Sequence, residues 1–151
     1  MAELGRLAGI DYGTVRIGVA VTDPEQRLAS PFENYTRRGA AADARFFTEL
    51  AREERISRFV VGLPVHLHGG ESQKSTEARA FGRWLGELTQ VPVVFFDERF
   101  TSSEAEQLLG QAELTKKQRK AKLDKLAAQI MLTAYLEAQE RGDNALRGLD
   151  D

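Results

Sequence analysis

Residues 15–22 constrain the fold more than any other stretch of this chain. Val15, Ile17, Val19 and Val21 fall on one side of an extended backbone, and Arg16, Gly18, Ala20 and Thr22 on the other. That period-two alternation predicts an antiparallel strand with one face buried and one open. Leu7-Ala8-Gly9-Ile10-Asp11-Tyr12, just before it, reads as a short strand that stops at Gly13-Thr14, and so short a connection joins the two as a hairpin. Asp23-Pro24-Glu25-Gln26 then turns the chain, and a third strand is expected over residues 32–36.

The periodicity next changes to that of a helix. Ala44, Phe47, Leu50 and Ala51 share one side of a helix predicted over residues 40–54. Residues 58–63 are a short apolar run stopped by Pro64, which predicts a buried strand. A polar, glycine-containing loop reaches to Gln73, and a second helix follows over residues 74–88, with Ala78, Phe81, Trp84 or Leu85, and Leu88 inward. Residues 91–96 give another buried strand, and Thr101-Ser102-Ser103-Glu104 fits a capping box that opens a helix. Residues 123–140 make a long helix, apolar over more than half its surface. A hairpin followed by alternating strands and helices implies an α/β fold, a five-stranded mixed sheet with helices on both faces.

Composition narrows the function classes. The 151 residues, 42% of them hydrophobic, suit one domain spanning 1–151 with a single core. No apolar run approaches the roughly 20 residues that cross a bilayer, and the first residues, Met1 to Arg6, lack an export signal's apolar centre. A cytoplasmic protein without membrane contact is the expectation. The absence of cysteine excludes disulfides, thiolate metal sites and a cysteine nucleophile. A net charge of −2 does not by itself suggest a polyanion partner. Yet Lys116, Lys117, Arg119, Lys120, Lys122 and Lys125 follow one another closely, opposed only by Asp124. That stretch is either a solvated surface or an attractive face for phosphates, and its position just before Asp124 favours the second.

Three carboxylates stand out by their surroundings. Asp11 ends an apolar strand, Glu98 follows Asp97 at the end of Val-Val-Phe-Phe, and Asp124 shares a helix side with Ala127, Ala128 and Met131. Carboxyl ends of parallel strands are where ligands gather in α/β sheets. Each acid also has an ordinary role open to it: Asp11 closing a turn, Glu98 pairing with Arg99 at the surface, Asp124 capping a helix. Taken together they form a set that repels itself unless cations intervene, and hard oxygen donors suit Mg²⁺ or Mn²⁺. Two such ions, about 4 Å apart, can activate a water and stabilise the leaving oxygen of a phosphodiester.

Five blocks then carry a family resemblance. Gly9-Ile10-Asp11-Tyr12-Gly13, Arg16-Ile17-Gly18-Val19-Ala20, Val61-Gly62-Leu63-Pro64, Asp97-Glu98-Arg99-Phe100-Thr101-Ser102, and Lys122 with Asp124, Ala127 and Ala128 resemble the YqgF (RuvX) family, in family order. The resemblance implies an RNase H-like fold similar to the RuvC resolvases. It also implies a nuclease maturing the 5′ end of pre-16S ribosomal RNA, or alternatively a Holliday junction resolvase acting on branched DNA. Asp11, Glu98 and Asp124 become the catalytic, metal-binding triad, Asp97 a neighbour, and Arg16 and Arg99 groups near the site that contact phosphate. Phe100 and Ser102 depart from the family's usual leucine and threonine, at positions that are not proposed ligands. Nucleic acid is the implied partner, with ribosomal precursor particles beyond it. Monomer and homodimer stay open, although symmetric cutting of a junction calls for a dimer.

Other features have weaker claims. His66 and His68 would suit a transition metal only with a third ligand that the sequence does not supply, so they read as loop residues facing solvent or substrate. Phe46, Phe47, Phe81, Trp84 and Phe95 have core-like spacing and read as packing rather than base-stacking platforms. Asp11-Tyr12-Gly13-Thr14 also resembles the first phosphate motif of actin and sugar-kinase folds, but their second domain and second glycine-rich loop have no counterpart here. A non-catalytic nucleic-acid scaffold is the third alternative, and the retained triad argues against it.

Overall fold

The computed structural model describes residues 5–64, 72–98 and 126–142. Strands β1 (Arg6–Asp11), β2 (Arg16–Thr22) and β3 (Ala29–Thr36) come first, then α1 (Ala40–Glu53), β4 (Ile56–Leu63), α2 (Gln73–Thr89) and β5 (Val93–Asp97). A further helix runs through residues 126–142. The five strands form one sheet in the order β3-β2-β1-β4-β5. β1 pairs antiparallel with β2, and β2 with β3, while β4 lies parallel to both β1 and β5. The mixed sheet expected from the hairpin and the βα alternation is therefore present.

Two apolar layers sandwich it. On one face Ile10, Ile17, Val19, Phe59, Val61 and Leu63 pack with Phe47 and Leu50 of α1 and with Ala78, Phe81 and Leu85 of α2. On the other, Leu7, Ala20 and Val60 meet Ala128, Met131, Leu132 and Tyr135 of the last helix. The predicted packing role of the aromatics holds: Phe47 and Phe81 lie in the first layer, with Phe46, Trp84 and Phe95 against it.

The second layer corrects the reading of residues 15–22. β2 is buried on both faces from Ile17 to Ala20, and Val15 lies outside the strand and 61% exposed. Small residues, not polar ones, were the signal on its second face. Ala20 meets the last helix, and Thr22 is buried because its Oγ1 accepts from the Leu7 amide at 2.9 Å and donates to the Asp23 carbonyl at 2.8 Å. β3 begins three residues earlier than expected, through Pro31, which an edge strand tolerates. β5 begins after Pro92, whose carbonyl accepts from the Phe59 amide at 2.9 Å. The predicted capping box at Thr101 and the loop with His66 and His68 lie outside the described residues.

The last helix lies close to the sheet because β1 carries Gly9. A Cβ there would lie 2.9 Å from the Leu132 Cβ and 3.2 Å from the Ala128 carbonyl oxygen. Glycine is what brings helix backbone down onto strand backbone. Among the described residues no helix is long and apolar enough to cross a membrane.

Candidate active site

The second layer ends at the carboxyl edge of the sheet in carboxylates. Side chains alternate along β1, so Leu7, Gly9 and Asp11 share the face covered by the last helix. Glu98 follows β5 directly and comes to the same face. β4 runs between the two strands, and neighbouring strands lie about 4.8 Å apart, so side chains on β1 and β5 would not ordinarily meet.

They meet here because β4 has Gly62 between them. A Cβ at Gly62 would lie 3.0 Å from both Cγ and Cδ of Glu98 and closer still to its Oε1. Glu98 therefore folds across bare backbone to share a hydrogen bond with Asp11. Burial first, then the charge of Asp11, pushes the Glu98 carboxyl up from 4.5 to about 7, Asp97 adds to the rise, and Lys74 works against it. Two acids that must share a proton or a cation are the feature this edge of the sheet presents. Gly18 on β2 keeps the other flank of Asp11 narrow: a Cβ there would sit 3.5 Å from that of Asp11 and 3.6 Å from that of Ala128.

Beneath the pair, on the opposite face, lies a polar network that holds the β1 end. Asp43 of α1 is 1% exposed. It accepts hydrogen bonds from the Tyr35 hydroxyl at 2.8 Å, Arg37 Nε at 3.0 Å and the Arg38 amide at 3.0 Å. Burial raises its carboxyl, but those donors, led by the Arg38 amide, outweigh it and hold the group below its ordinary 3.8. Burial and then the bond to Asp43 push the Tyr35 hydroxyl up. Arg37 also donates to the Tyr12 hydroxyl at 3.1 Å, and the Tyr12 ring packs on Phe81 with centroids 5.1 Å apart. Tyr12 is thus anchored on the α1–α2 side while its neighbour Asp11 faces the other way.

Of the residues singled out in the sequence, the structure brings Asp11 and Glu98 together. Arg16 is exposed at the start of β2, two residues before the Gly18 that pairs with Asp11, and so on the same face. Asp97 pairs with Leu63 and belongs to the α2 side. Asp124, Arg99, Lys116, Lys117, Arg119, Lys120 and Lys122 lie outside the described residues. Among the described residues no group of three potential metal ligands forms. Gly62, Lys74 and Asp43 are new. A lone glycine inside the apolar run Phe59–Leu63 was the available signal for a close approach.

Gly62→Ala is expected to leave the fold intact, because the tip of a Glu side chain can swing aside, and to part Glu98 from Asp11, so that the Glu98 carboxyl returns toward its ordinary 4.5. NMR titration of Glu98 beside a thermal melt checks it. An unchanged titration would mean that Gly62 does not set the Glu98 pose.

The family described as RuvX, Holliday junction resolvase, matches residues 5–138. The chain belongs to the RuvX family. A relative from Rhodopirellula baltica, named "Putative pre-16S rRNA nuclease", is 49% identical over 97% of this chain and 86% of its own length. A relative of the same name from Syntrophomonas wolfei is 38% identical over 91% of this chain and 97% of its own length. Among solved structures, Thermus thermophilus RuvC in complex with a Holliday junction substrate matches 90% of this chain and 96% of its own, with a TM-score of 0.57 at 16% identity. The fowlpox virus Holliday junction resolvase matches 88% and 99%, with a TM-score of 0.51 at 12% identity. The RNase H-like fold expected from the RuvX blocks is the fold of this chain.

Proposed function

We propose that this RuvX protein is a metal-dependent nuclease that hydrolyses nucleic-acid phosphodiester bonds in 5′-end processing of pre-16S ribosomal RNA. The observation that carries the reading is the Asp11–Glu98 pair, assembled across Gly62 with the Glu98 carboxyl raised to about 7. Such a pair suits a divalent cation: both donors are hard oxygens, and a cation relieves the repulsion that the shared proton now relieves. Asp124 completes the set in this reading. In the sequence it stands four residues before Ala128, whose Cβ lies, like that of Asp11, against Gly18. Bound there, Mg²⁺ or Mn²⁺, as one ion or two, would supply an activated water and a stabilised leaving oxygen.

The protein's own groups do the remaining work. Asp11, Glu98 and Asp124 provide the oxygen cage, and Glu98 releases its proton as it takes up that role. Arg16 and Arg99, with Lys116, Lys117, Arg119, Lys120 and Lys122, hold the flanking backbone phosphates. The family description favours branched DNA as a second substrate class, and the named relatives favour precursor RNA. Side-by-side cleavage of a pre-16S RNA fragment and a four-way DNA junction ranks them. Preferential cutting of the RNA is expected, and cutting of the junction alone would reverse the order.

A pH prediction follows from Glu98. Its folded pKa is raised, so without metal its contribution to stability is fully present below 4.5 and is lost as pH rises through about 7. In EDTA the Tm of the native protein should therefore fall relative to Glu98→Gln between pH 5 and pH 8, and added Mg²⁺ should restore more at the higher pH. Parallel melting curves for the two proteins would contradict it.

A further inference from the structure

The sheet stops holding β1 at Asp11. Pairing with β4 ends at Ile10 and Val61, and pairing with β2 ends at Asp11 and Gly18. Residues 12–15 then lead to Arg16 at the start of β2. That connection is tight, since a Cβ at Gly13 would run into the Arg16 carbonyl.

One residue just past β3 fastens the connection at both ends. The Arg37 guanidinium donates to the Tyr12 hydroxyl at 3.1 Å, one residue after Asp11. The Arg37 amide donates to the Val15 carbonyl at 2.9 Å, one residue before Arg16. Arg37 is itself held: Nε pairs with Asp43 at 3.0 Å, and its guanidinium carbon stands 5.5 Å from the centre of the Tyr12 ring and 5.9 Å from that of Phe81. A planar fork can serve Asp43 and Tyr12 at once, whereas an ammonium is a single point charge. Stability accounts for the Asp43 half of this arrangement, because that carboxylate is buried. It does not account for the Tyr12 half, whose hydroxyl bond is only partly buried and whose ring already packs on Phe81.

We propose that the Arg37 guanidinium is a positioning element for the reaction, fixing through Tyr12 the backbone that carries Asp11. The inference rests on the nuclease reading. Arg37 touches neither carboxylate of the pair; it acts through the peptide that joins Tyr12 to Asp11, while its backbone amide keeps Arg16 in place independently of the side chain.

Tyr12→Phe removes the hydroxyl and keeps the ring, and Arg37→Lys keeps a cation for Asp43 while giving up the fork. Well below the lowest Tm, each should lower kcat about tenfold, within the roughly hundredfold that a misplacement of about 1 Å can cost. KM should stay nearly unchanged, since the Val15 bond survives in both. The double variant should again lose about tenfold, because both changes break the same bond. Hydrogen exchange of the Arg37 amide, which reads the closure of the connection without cleavage, should quicken about tenfold in Tyr12→Phe. Unchanged kcat in Tyr12→Phe would overturn the inference, and so would a hundredfold loss in the double variant or losses that simply follow Tm. Quicker exchange in a protein that cuts nothing would keep Arg37 as the fastening of this connection while removing the nuclease reading.

Discussion

Asp11→Asn is expected to lower kcat for phosphodiester cleavage by about a thousandfold or more, roughly 4 kcal/mol of transition-state stabilisation. The same change should leave the metal-free protein as stable as the native chain or more so. Asp11 sits against the half-buried carboxyl of Glu98, whose pKa is raised first by its partial burial and then by the Asp11 charge. Removing that charge relieves a repulsion and costs no packing, since Asn has nearly the same shape. A purely structural aspartate would behave in the opposite way, losing stability and activity together. Steady-state kinetics beside thermal melts in EDTA separate the cases, and Glu98→Gln should repeat the pattern.

Asp43→Ala should do the reverse, lowering stability by about 3 kcal/mol, because it strands the donors of a buried carboxylate. The Tyr35 hydroxyl, Arg37 Nε and the Arg38 amide all lose their acceptor, and Asp43 is almost fully enclosed. For a chain of this size the Tm should drop by roughly 10 °C. Asp43 is held below its ordinary 3.8, so the stability it confers is present above that value and lost as pH falls through the folded pKa. Native and variant melting temperatures should accordingly converge in acid. A constant gap down to pH 2 would mean that packing rather than charge carries the effect. Because Arg37 also holds Tyr12, which follows Asp11, the variant should lose some activity even well below its Tm.

Much of this was legible in the residues, for reasons that can be stated. Alternation and apolar runs report which faces are buried, so the hairpin, the strands expected over 58–63 and 91–96, and the inward side of α2 were all readable, the last strand running two residues later at its start and one at its end. Asp11 and Glu98, which the fold brings together, stood out because acids at the ends of apolar strands violate the pattern around them. The second buried face of β2 was misread because Gly18 and Ala20 are small. Small residues look neutral in a hydrophobicity pattern, yet they are what a closely approaching helix needs. Gly62 sat inside a recognised motif without a role, since which side chain lies over a glycine depends on strand order, and strand order is not local. Asp43 was invisible for the same reason: Tyr35 and Arg37 belong to β3 and the turn after it, and only the packing of α1 against the sheet brings the three together.

The most direct test of the central claim is cleavage of a labelled pre-16S RNA fragment by the native chain and by Asp11→Asn, each with Mg²⁺ and with EDTA. Cutting by the native protein in Mg²⁺ alone, absent in EDTA and in the variant, is the predicted result. Equal cutting by Asp11→Asn, or cutting that persists in EDTA, would contradict a mechanism built on the Asp11–Glu98 pair.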